Sequence, residues 1–285
     1  MSAVSIKELR ERTGLGLLEC KKALADSNGD IERAIEHLRK SSGIKAAKKA
    51  GRVAADGVIA AKVSSDKTFA ILAEVNCETD FVARDQGFLD FVDKVLARAF
   101  DLRTTEVQKI LEGALEKDRE SLVQKIGENI SFRRAAILNI SDGMIDAYVH
   151  GNSRIAALLA INTDNAKLAR DLAMHVVAVN PKVIAPDDMP SNILEKEREI
   201  FTAQALESGK SEEIATKMVS GRLNKFLAEN SLLKQPFVKN PEQSVHELVN
   251  SAGAEIISFA RYEVGEGIEV EKVDFAAEVA AQLES

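Results

Sequence analysis

The sequence predicts an α+β fold whose core contains two copies of one strand–strand–helix unit. In each copy, two runs rich in strand-forming residues are joined by a short turn and followed by a segment with helical periodicity. The turns have the same length, and Asn76 of the first copy falls opposite Asn162 of the second. We therefore expect two related antiparallel-sheet-plus-helix subdomains. The predicted strands cover residues 57–63 and 69–76 in the first copy and 143–149 and 155–162 in the second.

A bundle of three short helices is predicted before this core, in residues 1–53. The pattern Ser5-Ile-Lys-Glu8 is typical of a capping box, and Asp30 is placed to cap the third helix, which we predict to end near Lys40. Residues 39–52 contain six basic side chains and no acidic one. We interpret this stretch as a solvated linker rather than a nucleic-acid or membrane patch, because it has no aromatic side chain for base stacking.

The other elements complete the two subdomains. Residues 132–140 are expected to form a third strand of the first sheet, and residues 255–263 a returning strand of the second. Thr105-Glu-Val-Gln108 predicts another capping box. Charged helical stretches predict an antiparallel helical hairpin inserted at about 187–230, and Asp274 is expected to cap a C-terminal helix. The predicted domains are residues 1–53, 54–140, 141–263 (with the inserted hairpin) and 264–285.

The connection between strand and helix in the first copy, residues 76–83, carries an acid beside a large aromatic. In one interpretation, Asp80 caps the following helix and Phe81 packs as a hydrophobic staple at its start. In the other, Phe81 is an exposed apolar anchor for a partner. The second copy reaches its helix through Thr163-Asp164-Asn165, without an aromatic residue. This difference favours the exposed anchor.

Composition and motifs indicate no active-site chemistry. The net charge of −7 argues weakly against a nucleic-acid partner, and no apolar run approaches the roughly 20 residues of a membrane span. Cys20 and Cys77 indicate neither a disulfide framework nor a zinc site. We expect no cofactor, no metal and no enzymatic activity, with the cytoplasm as the default location. Surface or capping roles are favoured for the histidines, which are His37, His150, His175 and His246.

The segment Thr79-Asp80-Phe81-Val82-Ala83 is accompanied by further motifs spread over the chain. These are Lys7–Gly14, Cys20–Leu24, Lys45–Ala50, Ala54–Gly57, Lys125–Ile130, Gln235–Val238 and Glu263–Gly267. In this order they resemble the bacterial elongation factor Ts family, the nucleotide exchange factors of the translational GTPase elongation factor Tu. The resemblance covers essentially the whole chain, and it implies a ubiquitin-associated-like fold for the N-terminal bundle.

The resemblance also implies a mechanism. Phe81 would insert into the GTPase domain of elongation factor Tu near its magnesium site, Asp80 would shape the loop, and Thr79 and Val82 would support it. The N-terminal bundle, the core sheets and the C-terminal helix would supply most of the other contacts. A homodimer through the helical hairpin is retained as an alternative to a monomer.

Two other classes of function remain open from the sequence. A scaffold or chaperone-like binder would hold its partner equally well in both nucleotide states. An RNA-binding protein would use residues 39–52, and its affinity would depend steeply on salt.

Overall fold

Residues 3–207 and 211–269 are described by the structure, which is a computed structural model. Contacts within the described chain define two units. One comprises residues 3–59, 73–135 and 263–269, and the other residues 60–72, 136–207 and 211–262. The hairpin turn at 208–210 and the predicted C-terminal helix at Asp274 lie outside the described residues. The domain boundaries predicted from the sequence stay predictions.

The N-terminal bundle consists of α1 (Ala3–Thr13), α2 (Leu17–Asp26) and α3 (Ile31–Lys49). The Asp30 carboxylate accepts a hydrogen bond from the Arg33 backbone N–H at 3.0 Å, which confirms the predicted cap of α3. Ser5 lies inside α1 and not at its N-cap, so the predicted capping box is wrong. The buried residues of this bundle are Leu9, Leu15, Cys20, Ala23, Leu24, Ala34 and Leu38.

The third helix continues well beyond its predicted end at Lys40. Ser42 and Ala46 extend the buried face of α3, and this part of the helix packs against α6 (Ala114–Ile126). Lys45 also pairs with Glu19, and Lys49 donates a hydrogen bond to the Gly127 carbonyl. The interpretation of residues 39–52 as a solvated linker is therefore wrong for most of its length, because packing against α6 stabilises the helical conformation.

The first sheet has the strand order β1 (Asp56–Val63), β2 (Phe69–Cys77) and β3 (Ser131–Asn139), which confirms the three predicted strands. Between β2 and β3 lie α4 (Gln86–Leu102), α5 (Val107–Leu111) and α6. The predicted capping box at Thr105 is wrong, because Glu106 occupies the N-cap of α5 and its own N–H donates to Thr104 Oγ1 at 3.2 Å. The buried face of α4 consists of Phe88, Phe91, Val92, Val95, Leu96 and Ala99.

The second sheet has the strand order β4 (Met144–Val149), β5 (Ile155–Asn162) and β8 (Glu255–Glu263). Helix α7 (Ala166–Val179) packs on β4 and β5, as the repeat predicts. A small hairpin of β6 (Pro236–Phe237) and β7 (Asn240–Ser244) and the short helix α10 (Val245–Ser251) precede β8. Glu247 forms a capping box with Ser244 at the start of α10.

A pair of glycines shows that the two copies share their packing as well as their pattern. Gly57, the second residue of β1, has a φ of +144°, and a Cβ atom there would lie 2.2 Å from the Val75 carbonyl oxygen. Gly143 precedes β4 with a φ of +98°, and a Cβ atom there would lie 2.3 Å from the Ile161 carbonyl oxygen. Only glycine avoids both the overlap and the unfavourable φ. The repeat predicted from the sequence is thus confirmed at the level of backbone contacts.

The predicted helical hairpin consists of α8 (Ser191–Glu207) and α9 (Glu212–Asn230). Its buried seam is narrow and consists of Ala205, Ala215, Val219 and Leu223, with Phe201 partly buried beside them. Ile193, Ile200 and Ile214 are exposed. The ends of the hairpin lie close together, since Leu232 N–H donates to the Val183 carbonyl at 2.9 Å.

Glu74 is a fully buried carboxylate in β2, a strand whose other residues are mostly apolar. Burial raises the pKa of Glu74, but hydrogen bonds from Gly265 N–H, Arg134, Arg133 and Asn76 outweigh it and hold the pKa below the ordinary value. Gly265 has a φ of +75°, and a Cβ atom there would lie 2.3 Å from the Ala55 carbonyl oxygen. The segment 263–267 is therefore attached to the first sheet through a buried charge.

His175 in α7 is also fully buried, so the expectation of a surface or capping role is wrong for this histidine. Val238 N–H donates to its Nδ1 at 3.1 Å, and Nε2 lies 3.0 Å from Gln235 Oε1. Because Nδ1 accepts, the proton is on Nε2 and the ring is neutral. Burial lowers the pKa of His175.

Candidate functional site

Residues 78–85 form the loop between β2 and α4. The loop follows a strand that is buried throughout, and its last residue, Asp85, is the N-cap of α4. Asp85, and not Asp80, caps α4, because its carboxylate accepts from the Phe88 N–H at 3.1 Å. A short 3-10 helix, Val82–Arg84, precedes this cap. The interpretation of Asp80 as the helix cap is therefore wrong.

Phe81 projects from this loop, and 80% of its surface is exposed. Its backbone has ordinary helical angles, φ −65° and ψ −46°, so the exposure does not result from strained geometry. The neighbouring Val82 is only 8% exposed and belongs to the buried core. The loop thus buries the small apolar side chain and presents the large one, which rules out the staple interpretation of Phe81.

Asp80 forms an exposed ion pair within the loop. Its carboxylate accepts from Arg84 Nη2 at 2.8 Å, four residues further along the chain. This contact closes the helical turn that carries Phe81. An exposed pair of this kind contributes about 0.5 kcal/mol or less to stability.

Thr79 connects the loop to Glu128, whose role the sequence did not predict. Glu128 Oε2 accepts from the backbone N–H groups of Glu78 and Thr79, at 3.1 and 3.0 Å. Its Oε1 accepts from the Thr79 hydroxyl at 2.7 Å. Glu128 lies in the motif Lys125–Ile130. That motif does not indicate that Glu128 contacts Thr79, which is 49 residues away.

Asn129 links the same support to the chain segment that follows α3. Its side-chain amide donates to the Arg52 carbonyl at 2.8 Å, and its backbone N–H donates to Glu78 Oε1 at 2.6 Å. Arg52 also lies 3.6 Å from the Glu78 carboxylate. The beginning of the loop is thus bonded to two sequence-distant segments.

The second copy has no comparable loop. Its β5 connects to α7 through Thr163-Asp164-Asn165, and Asn165 caps α7 by accepting from the Leu168 N–H at 3.1 Å. Both copies therefore need a cap at this position, but the projecting aromatic belongs to the first copy.

Residues 78–266, which include this loop and its support, match the family model described as Elongation factor TS. The chain belongs to the elongation factor Ts family. The elongation factor Ts of Hahella chejuensis is 61% identical over 283 residues, which cover 99% of this chain and 98% of that relative. The elongation factor Ts of Marinobacter nauticus is 59% identical, with 99% of this chain and 96% of the relative covered. That of Teredinibacter turnerae is 56% identical, with 99% and 97% covered.

Membership of the elongation factor Ts family agrees with the resemblance seen in the sequence and with the α+β architecture. Within the described residues, no group of three or more histidine, cysteine, aspartate or glutamate side chains is arranged to hold a metal ion. None of the described helices combines the length and apolar character needed to cross a membrane.

Proposed function

We propose that this chain binds elongation factor Tu and promotes the release of GDP from it, as a guanine nucleotide exchange factor of translation. The observation that carries the proposal is the 80% exposure of Phe81 on a loop held by hydrogen bonds. A large exposed aromatic on a well-ordered loop loses little conformational entropy when a partner buries it.

The proposed mechanism requires no catalytic group. GTPases hold their nucleotide through backbone groups around the phosphates and a magnesium ion that bridges phosphate oxygens. A protein that binds the nucleotide-free form of the GTPase more tightly weakens nucleotide binding by the same factor. We propose that Phe81 provides this preference by inserting near the magnesium and phosphate site of elongation factor Tu. Thr79 and Val82 anchor the loop, and Asp80 shapes its turn.

RNA binding through residues 39–52 is the less favoured alternative. Of the six basic side chains in this stretch, four contact groups of the chain itself. Lys40 pairs with Glu36, Lys45 with Glu19, and Arg52 with Glu78, while Lys49 donates to the Gly127 carbonyl. These contacts argue against a patch devoted to phosphate. The absence of a nucleic-acid partner and the hairpin homodimer stay predictions.

The test is the rate of release of fluorescently labelled GDP from elongation factor Tu. Phe81→Ala should fold normally, because the side chain contributes little to the core, and should lose about 30-fold in exchange activity. A loss of this size corresponds to an interface anchor worth about 2 kcal/mol.

Leu102→Ala is a matched control, because Leu102 is an exposed apolar residue at the end of α4. It should exchange GDP at the parent rate. Equal activity of Phe81→Ala and the parent would contradict the proposed mechanism. A scaffold that binds both nucleotide states equally would show binding to elongation factor Tu without any acceleration of GDP release.

A further inference from the structure

We propose that Glu128 is a positioning residue that holds the Phe81 loop in its active geometry, and that Asn129 connects this support to the segment after α3. The inference rests on the proposed function, because it assigns residues that act through the Phe81 loop. Neither residue is expected to contact the nucleotide. Their effect is transmitted through Thr79.

The hydrogen-bond geometry gives Glu128 control of the start of the loop. One carboxylate oxygen accepts from two consecutive backbone N–H groups, and the other accepts from the Thr79 hydroxyl. The Thr79 hydroxyl oxygen in turn accepts from the Val82 N–H at 3.4 Å, and the Thr79 carbonyl accepts from the Ala83 N–H at 3.2 Å. Phe81 lies within this series of bonds, so its direction depends on the Thr79 orientation.

Glu128 is itself held by the turn in which it lies. Helix α6 ends at Ile126, and Gly127 follows with a φ of +91°, which turns the chain toward the loop. Asn129 is buried and donates to the carbonyls of Ala50 and Arg52 at 3.4 and 2.8 Å. Glu78 accepts from the Asn129 N–H, and Glu128 accepts from the Glu78 N–H, so hydrogen bonds run in both directions between these two segments. We call this set of contacts, which joins residues 50–52, 78–79 and 128–129, the bracket.

A carboxylate is well suited to this task because it only accepts hydrogen bonds and can serve several donors at once. Bonds to an ionised acceptor are also stronger than bonds between neutral groups. Removing the carboxylate leaves two loop N–H groups and one hydroxyl without their acceptor. The loop then samples other conformations, and only a fraction of the molecules present Phe81 correctly.

The decisive experiment is a double-mutant cycle measured as GDP release from elongation factor Tu. Glu128→Ala should lower the maximum rate about tenfold, as expected for the loss of bonds to a charged acceptor. Once Phe81 is absent, the loop position no longer matters. The double variant Glu128→Ala/Phe81→Ala should therefore lie within about twofold of Phe81→Ala alone. If the double variant instead loses the product of the two single-variant losses in GDP release, the positioning role of Glu128 is overturned.

Amide hydrogen exchange separates positioning from a general loss of stability. Glu128→Ala should speed the exchange of the Thr79, Val82 and Ala83 amides and leave the Phe88 amide of α4 protected. If the loop amides of Glu128→Ala exchange hydrogen as slowly as those of the parent, the proposal is overturned, whatever the rate of GDP release. If Glu128→Ala does not fold, Glu128→Gln serves instead, because it keeps the size of the side chain and removes the charge. Glu112→Gln, an exposed residue outside the bracket, is the control and should match the parent in both measurements.

Asn129→Ala tests the connection to residues 50–52. It should speed loop-amide exchange and lower GDP release in the same direction as Glu128→Ala. Loop amides as protected as in the parent would remove Asn129 from the bracket. A Phe81→Ala variant with parental activity would instead contradict the proposed function, and the amide measurements would still decide whether Glu128 holds the loop.

Discussion

Gly265 shows how a single residue attaches a distant segment to the core. Its N–H donates to the buried carboxylate of Glu74 at 2.8 Å, and an added Cβ atom would overlap the Ala55 carbonyl. Gly265→Ala combines an unfavourable φ, which costs about 1–2 kcal/mol, with a steric overlap at 2.3 Å. We expect the free energy of unfolding to fall by about 3 kcal/mol or more, measured by urea denaturation.

Gly267 provides the matched control for this prediction. Its φ of +77° is nearly the same, but the atom nearest to an added methyl group would be in the Arg133 side chain, at 3.9 Å. Gly267→Ala should therefore show the φ penalty alone, about 1–2 kcal/mol. If both variants lose the same amount, contact with the Ala55 carbonyl contributes nothing to the requirement for glycine.

At the residue scale, the sequence allowed the exposure of Phe81 to be predicted, because the second copy of the repeat lacks an aromatic there. The partner of Thr79 could not be predicted in the same way. Glu128 is 49 residues away, and nothing in the local pattern distinguishes it from a solvated acid. Buried charges raise the same difficulty, since Glu74 lies in a mostly apolar strand and its arginine partners come from β3.

At the element scale, the extension of α3 changes where the N-terminal bundle can be removed. Residues 41–49 pack on α6, and the carbonyls of Ala50 and Arg52 accept from Asn129. Removing residues 1–53 eliminates these contacts, whereas removing residues 1–40 retains them. The two hydrogen bonds from Asn129 alone correspond to about 2 kcal/mol. We expect the shorter truncation to melt about 4–8 °C higher than the longer one.

Thermal melting of the two truncated proteins, followed by circular dichroism, tests this expectation. Both should keep their sheets, and both should bind elongation factor Tu more weakly than the parent if the bundle supplies contact area. Equal melting temperatures would show that residues 41–53 do not stabilise the rest of the unit.

The helix end was mispredicted because small residues give a weak apolar signal. Ala34, Leu38, Ser42 and Ala46 recur every four residues and lie on one buried face. Serine and alanine permit close approach to α6, but among six basic residues they resemble a polar linker. The sheets and the hairpin were easier to predict, because short turns mark the boundaries of their strands and helices.

At the scale of the whole molecule, we expect stability to depend on pH through His175. Burial lowers the pKa of this histidine in the folded protein, so the unfolded chain binds a proton more readily. The stabilising contribution is complete above the unfolded pKa of about 6.5 and is lost as the pH falls below it. One such proton lowers the free energy of unfolding by at most about 1.4 kcal/mol per pH unit.

Urea denaturation between pH 7 and pH 5 measures this dependence. His175→Gln should be less stable than the parent at pH 7 but should lose less stability on acidification, because glutamine does not titrate. His37→Gln, at an exposed position of α3, should retain the parental pH dependence. If the unfolding free energy of His175→Gln falls with pH as steeply as that of the parent, groups other than His175 cause the pH dependence. Glu74 does not interfere with this measurement. Its pKa is lowered in the folded protein, so its protonation destabilises the fold only at a pH below this range.

The root of the helical hairpin has a practical consequence for engineering. Val183 and Ser231 form a parallel bridge, and Lys182 N–H donates to the Asn230 carbonyl at 2.8 Å. A foreign domain whose own termini are adjacent, such as a fluorescent protein or a ligand-binding module, can therefore replace residues 191–228, which leaves the Asn230 carbonyl and the bridge in place. Such a chimaera would carry an optical reporter on the chain while the Phe81 loop keeps its own sequence.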